Sequence, residues 1–526
     1  MNFKHIIFAF ASTAVAGLPL ASCSDDFLDR EPTNYITPDQ MEQAMVWNSN
    51  IMFGQQQGTI TKMVRWRSGG TDDQDDFGQK STDICTDLMS GDMVMPGNDY
   101  RWFSDTWRLT TYSRTNRRSG ILWKYNYGVI NTCNSMLDAL GHDRIMPEDN
   151  PTQQLYYAAA KTIRAYSYFN LVTLFGRNYT DQVEVNGAMI PSKDQKLLPI
   201  YHTQSGLLAP AAPQTVDSVY KFIFRELEGA IEAYEAAAKN GAAPSDLSMP
   251  GLDVAYTIQA YAHLQRGDET KNDYALAQEA ALNAIYSTDA SMLTGNQIYF
   301  GMNTVNNPSW IWGVDITKDN TGGLCTWWGM MDVFTYSYAA AGDVKIINQE
   351  LYDQMPESDA RKKWFTEPGS YSGQLAFLSY TPMNKFYSAS GASLGQLMAD
   401  RQWVEDIVFM RIEEAWLLAA EASIRNNDLE TGREALYGLL SERDPQTADE
   451  IETMTKDELL DCLYYNWRVE MWGEGRGLLT QKRFKRGNKR GTNDGAFPGR
   501  TFNYDDMRLY FSIPQSEYEN NPELHK

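Results

Sequence analysis

Among the tryptophans in stretches of the chain that show no helical periodicity, five have flat faces best suited to hold a ligand. Trp66, Trp102 and Trp107 fall in one such stretch. Trp327 and Trp328 fall in another, followed by Tyr336. A tryptophan face is electron-rich, and one face of a pyranose ring presents polarised C–H bonds. The quadrupole that organises aromatic pairs attracts those hydrogens, and burying the flat face adds a hydrophobic gain. Asn98 and Asp99, next to Trp102, are the polar side chains placed to fix hydroxyls. Trp102, Trp107, Trp327 and Trp328 lead this candidate set, with Tyr336, Trp66, Asn98 and Asp99 behind them. Trp123, Trp416, Trp467 and Trp472 lie in periodic, helical stretches and are expected in the core.

Catalytic patterns are weak by comparison. Gly391-Ala-Ser-Leu-Gly395 has the form of a nucleophile elbow, but the only histidine after Ser393 is His525, one residue from the end. That motif requires a strand before it, a helix after it and a later catalytic histidine, so a glycine-rich loop is the better account. Five histidines without H-x-x-x-H spacing give no zinc centre. Asp72 to Asp76 lacks the glycine and distal glutamate of an EF-hand and reads as a solvated acidic loop. Gly473-Glu-Gly-Arg-Gly477 follows a helix and is no nucleotide fingerprint. Cys85, Cys133, Cys325 and Cys462 are far apart and form no C-x-x-C pair, which fits buried thiols. Arg411, Glu414 and Glu421 read as structural ion pairs. A glycosidase pair among 68 acidic residues is a matter of spatial separation that sequence does not give. No cofactor is implied. The net charge of −22 argues against binding nucleic acid, which needs a basic face, and favours a neutral ligand.

The elements that must carry these residues are mainly α. Apolar residues recur at three- and four-residue steps over Ile121–Leu137, Ala158–Phe175 (ending at Gly176) and Val216–Ala238, which Thr215 or Asp217 opens. Leu252–Gln265 and Tyr274–Ile285 make a helix pair with small residues at Ala255, Ala260, Ala262, Ala277 and Ala281. Ile407–Ile424 and a helix capped by Asp428 make a second pair. Each pair spans roughly 34 residues, the period of tetratricopeptide repeats. A last long helix covers Lys456–Trp472, and Ser516 with Glu519 reads as a capping box. Residues 47–118 and 289–402 lack this periodicity and read as loop-rich regions packed on the helical body (119–288 and 403–473).

At the N-terminus, Ile6 to Ala16 is an apolar run too short to span ~30 Å of hydrocarbon. A polar start, a short apolar centre and small residues before a cut describe an export signal, residues 1–22. Leu20-Ala-Ser-Cys23 resembles the bacterial lipobox, which makes Cys23 the acylated first residue of a mature chain 23–526.

Cys23-Ser-Asp-Asp-Phe-Leu-Asp-Arg-Glu-Pro32 resembles the start of many SusD/RagB-family lipoproteins. Arg164-Ala-Tyr-Ser-Tyr-Phe-Asn-Leu-Val-Thr-Leu-Phe-Gly176 and Met410-Arg-Ile-Glu-Glu-Ala-Trp-Leu-Leu-Ala-Ala-Glu-Ala422 resemble that family's early and late repeat helices. Asn466-Trp-Arg-Val-Glu-Met-Trp-Gly-Glu-Gly475 and Ile513-Pro-Gln-Ser-Glu517 with Asn521-Pro-Glu-Leu524 resemble its C-terminal signatures. The resemblance implies a mainly α, SusD-like fold with tetratricopeptide-type pairs and a large irregular insertion. It further implies a non-catalytic lipoprotein on the outer face of the outer membrane. Such a protein captures an oligosaccharide or polysaccharide and caps a SusC-like TonB-dependent transporter. The two rival expectations are a RagB-like peptide binder of the same system and a surface glycoside hydrolase.

Overall fold

The computed structural model describes Ala44 and residues 50–525, apart from 142–144, 149, 204–209 and 389–403. Cys23, the export signal and the Gly391–Gly395 motif lie outside the described residues.

The body is a stack of antiparallel helices. α1 (Asn50–Val64) and α2 (Gln79–Ser90) precede α3 (Arg117–Ala139), α4 (Pro151–Phe175) and α5 (Val216–Lys239). The starts follow local chemistry. Asn116 Oδ1 accepts the Arg118 N–H at 2.8 Å, and Asn150 Oδ1 accepts the Gln153 N–H at 3.1 Å ahead of Pro151. Thr215, not Asp217, opens α5, its hydroxyl accepting the Ser218 N–H at 3.1 Å. Each cap satisfies a backbone donor that has no partner inside the helix.

α6 (Leu252–Arg266) and α7 (Asp273–Tyr286) form the first repeat-like pair, and α7 packs directly on α9 (Ile412–Arg425) of the second. Ala255, Ala260, Ala277, Ala281, Ala415, Ala419 and Ala422 are all fully buried, so close approach of these helices is built from their small side chains. The helical stack is therefore continuous in space, although more than a hundred residues of insertion interrupt it in sequence. α10 (Leu429–Arg443) is capped by Asp428, which accepts the Thr431 N–H. α11 (Lys456–Glu470) opens on a capping box of Thr455 and Glu458. α12 (Gly477–Arg483) follows the glycine-rich turn, where Gly473 and Gly475 have φ of 81° and 80°.

Four expectations need correction. Ile407–Ile424 is not one helix: Ile407–Arg411 is strand β4, paired antiparallel with β2 (Trp310–Val314), and α9 begins only at Ile412. Every residue of β4 is buried, so its apolar run carries the same pattern as a buried helix turn. The stretch before Asn116 is not all loop, since α1 and α2 lie in it. Asp75 and Asp76 are not solvated. Asp75 receives Arg117 (2.7 Å) and Arg118, while Asp76 accepts the Gly69 and Thr71 N–H groups at 2.7 and 3.0 Å. Ser516 does not cap the last helix, Gln515–Asn520, which has no side-chain cap and follows Pro514.

A buried ionic core ties the insertion to the repeats. Four cations, Arg361, Lys385, Arg411 and Arg443, meet four carboxylates, Asp359, Glu413, Glu470 and Glu474, all almost wholly removed from solvent. Glu414 pairs with Arg476, and Glu421 with Arg425 and Arg483, so the charges on the late helix are structural. Burial alone would raise the carboxyls of Asp75 and Glu474. The guanidiniums of Arg118 and Arg117, and of Arg411 with Lys385, outweigh it and hold each at about 2. Both values lie below the unfolded carboxylate values of about 4. Each group therefore adds stability that is complete above pH 4 and is lost as pH falls towards 2. Asp87, which burial pushes up to about 7, does not compensate, because it is protonated in both states below pH 4. Urea unfolding followed from pH 6 to pH 2 is expected to show stability rising towards about pH 4, as buried Asp87, Asp253 and Asp406 take up protons, and a steep loss below it.

Among the described residues, Cys85, Cys133 and Cys325 are buried free thiols and Cys462 is a half-buried one. No described helix is long and apolar enough to cross a membrane.

Candidate functional site

The two aperiodic regions meet. β1 (Met93–Val94) pairs antiparallel with β3 (Ile346–Ile347), joining the loop before α3 to the insertion. A small core of Val94, Val333, Ala339, Val344, Ile346, Leu378 and Met383 closes behind this junction. The loop after β1 then carries Asn98 to Trp102 against the insertion. Tyr338 is the centre of the contact: Tyr100 meets it edge-to-face with centroids 4.9 Å apart, and Trp102 at 6.2 Å. The Tyr338 hydroxyl donates to Gln74 Oε1. Two residues before it, Tyr336 is 54% exposed.

The loop is held in an unusual shape by two carboxylates. Arg101 and Phe103 have φ of 65° and 58°, a left-handed conformation that costs a non-glycine residue of the order of 1 kcal/mol. Asp343, buried in the insertion, accepts the Asp99 N–H at 2.8 Å and the Tyr100 N–H at 3.0 Å. Asp75 accepts the Phe103 N–H at 2.8 Å. Lys345 Nζ donates to the Asp343 carbonyl at 2.9 Å. Burial pushes its ammonium down to about 8 against the pull of Asp343 and Asp75. Asn98 Nδ2 donates to the Trp102 carbonyl at 2.9 Å, while its Oδ1, buried, has no donor among the described residues.

Of the residues picked out from sequence, Asn98, Asp99 and Trp102 come together here, and Tyr336 is exposed two residues before Tyr338. Trp107 lies beneath, its indole N–H donating to the Met95 carbonyl at 3.1 Å. Trp66 sits on the neighbouring loop, donating to the Asp73 carbonyl at 2.9 Å, with the Arg67 guanidinium over its ring at 4.3 Å. Trp327 and Trp328 are not surface loop residues. They begin the short helix α8 (Trp327–Met331) and are only 2% and 3% exposed. Trp327 packs edge-on against Trp328 and Phe386, and the Trp328 indole donates to the Asp406 carbonyl at 3.0 Å. Their rings are buried, and both line a small pocket with Phe77, Lys80 and Thr321. Tyr100, Tyr338, Gln74 and Asp343 are the residues that sequence reasoning did not single out for the site. The tyrosines had a signal, being loop aromatics, whereas Asp343 and Gln74 had none.

Asp343→Ala is expected to free the loop. Hydrogen bonds to a charged group contribute about 1.5–3 kcal/mol each. Local opening should thus become at least tenfold more frequent. The measurement is trypsin cleavage after Arg101, which is exposed: cleavage should accelerate about tenfold with global thermal unfolding shifted by only a few degrees. An unchanged rate would contradict the latch.

The geometry defines a mainly helical protein that displays a preset aromatic face on loops. Residues 26–240 match the SusD-like family described as starch-binding and associating with the outer membrane. Solved structures share the fold over most of the chain. A SusD-like carbohydrate-binding protein from Bacteroides vulgatus is 18% identical, with a TM-score of 0.69 over 90% of this chain and 97% of that one. A SusD superfamily protein from Bacteroides thetaiotaomicron is 18% identical, with a TM-score of 0.71 over 90% and 98%. NanU of B. fragilis is 14% identical, with a TM-score of 0.62 over 94% and 98%. Among curated proteins, none matches the chain in sequence. The chain is mainly α and shares the fold of these structures.

Proposed function

We propose that this protein captures oligosaccharides at the cell surface, does not cleave them, and delivers them to a SusC-like TonB-dependent barrel that it caps. The observation that carries this reading is the convergence of Tyr100, Trp102 and Tyr338 from two distant segments onto one face. That face is preset by Asp343, so little ordering entropy is lost on binding. The family's description as starch-binding points the same way. Anchoring would come from acylated Cys23, with about 0.8 kcal/mol per buried methylene and two or more chains needed for a stable hold. The mature unit would be 23–526, with the helical stack facing the transporter and the loop-rich face receiving the ligand.

Affinity electrophoresis of the mature protein against neutral polysaccharides, with an oligopeptide panel beside it, tests the reading. Retardation by a glycan is expected. Binding to oligopeptides alone would make it a RagB-like peptide carrier. Glycan turnover abolished by a single Asp or Glu substitution would make it an enzyme.

A further inference from the structure

A second opening lies towards the N-terminal end of α1. A cleft of about 460 Å³ is lined by Phe53, Gln57, Asp246, Leu247, Val305 and Asp315, with Ser248 and Val314 behind them. Phe53 is 43% exposed, a large open ring on a rigid helix. Leu247, Val305 and Val314 form an apolar side. Asp246 and Asp315 are exposed carboxylates at its edge. The polar floor is already organised: Gln57 Nε2 donates to Ser248 Oγ at 3.1 Å, and Asp246 Oδ1 accepts both the N–H and the hydroxyl of Ser248. Behind Asp315, the buried Asp406 carboxylate is engaged by the Val305 and Ile316 N–H groups at 2.7 and 2.8 Å.

An open ring, two carboxylate acceptors and an amide on a fixed floor match a ring with equatorial hydroxyls, which offers apolar C–H bonds on its face and O–H donors at its edge. A purely apolar occupant would leave both carboxylates partly desolvated and unpaired, which costs free energy. An anionic one would meet repulsion from Asp246 and Asp315. The cleft is also separate from the Tyr338 face. Phe53 and Val64 are eleven residues apart on α1, about 17 Å at 1.5 Å per residue, and Gln74 of the aromatic face lies beyond that end.

We propose that this cleft is a second subsite for a neutral sugar ring, so that the protein grips polymeric glycan at two points. The proposal rests on the glycan-binding reading above. Two linked contacts raise affinity for a polymer without changing affinity for a ligand too short to reach both.

The test uses the mature chain and the Phe53→Ala/Asp315→Asn double variant in native gels containing starch, xylan or galactan, with titration of the trisaccharide of each retained polymer. Phe53 and Asp315 are exposed, so an unchanged thermal midpoint is expected and is measured alongside. The double variant should lose at least fivefold in polymer affinity and keep trisaccharide affinity within twofold, whereas Trp102→Ala should lose both. Unchanged polymer affinity in the double variant, with loss in Trp102→Ala, overturns the second subsite alone. Loss of trisaccharide affinity in the double variant also overturns it, because the two sites would then be one. Failure of the wild type to be retained by any of the three polymers overturns both readings.

Discussion

Glu470→Ala should destabilise the protein by about 3–5 kcal/mol, the range seen when one partner is removed from a buried ion pair. Glu470 sits in α11 and receives Arg411 at 2.7 Å, Arg443 at 3.1 Å and Arg361 at 3.3 Å, all wholly buried. Burial opposes its charge, yet the three guanidiniums hold its carboxyl well below the usual range. The surrounding core balances four cations against four carboxylates. Losing Glu470 leaves one excess positive charge without water to solvate it. Glu470→Gln keeps the shape and removes only the charge, so its cost should be nearly as large. Guanidinium unfolding midpoints at constant slope measure both. A loss under about 1 kcal/mol for either would mean the network relaxes or admits water.

Trp102→Ala should weaken glycan binding by roughly thirtyfold, about 2 kcal/mol. Aromatic pairing contributes about 0.5–1.5 kcal/mol beyond its area, and a buried ring face adds a comparable hydrophobic gain. The fold should tolerate the change, because Trp102 is only half-buried on a loop whose backbone is fixed by Asp343 and Asp75. Trp328→Ala is expected to behave differently: its ring is core, so the thermal midpoint should fall. Isothermal titration with thermal melts on both variants separates a lost contact from a lost fold.

The helical body was largely legible in the sequence because each repeat helix buries one stripe and exposes the other. α5 and α10 show this, and Thr215 and Asp428 mark starts as their side-chain chemistry demands. α2 was not legible for a physical reason. All twelve of its residues, Gln-Lys-Ser-Thr-Asp-Ile-Cys-Thr-Asp-Leu-Met-Ser, are buried, so there is no contrast between faces for periodicity to detect. β4 was hidden for the same reason, a short run buried on every side. Within the candidate site, Asn98 and Trp102, picked out by the aromatic composition of their loop, lie beside Tyr100 and Tyr338. Burial was invisible: Trp327 and Trp328 read like Trp102 until the chain around them is folded. Asp343 acts through its two oxygens on the backbone of a loop 243 residues earlier. No local pattern marks such a latch.

The central claim is capture without cleavage on the Tyr100–Trp102–Tyr338 face, and one titration addresses it directly. The mature protein is mixed with a glycan that retards it in native gels, intrinsic fluorescence is followed to saturation, and the recovered sugar is chromatographed. The account predicts saturable binding that Trp102→Ala weakens about thirtyfold, with the sugar returned at its original length. Shortened products, or equal binding by Trp102→Ala, would contradict it.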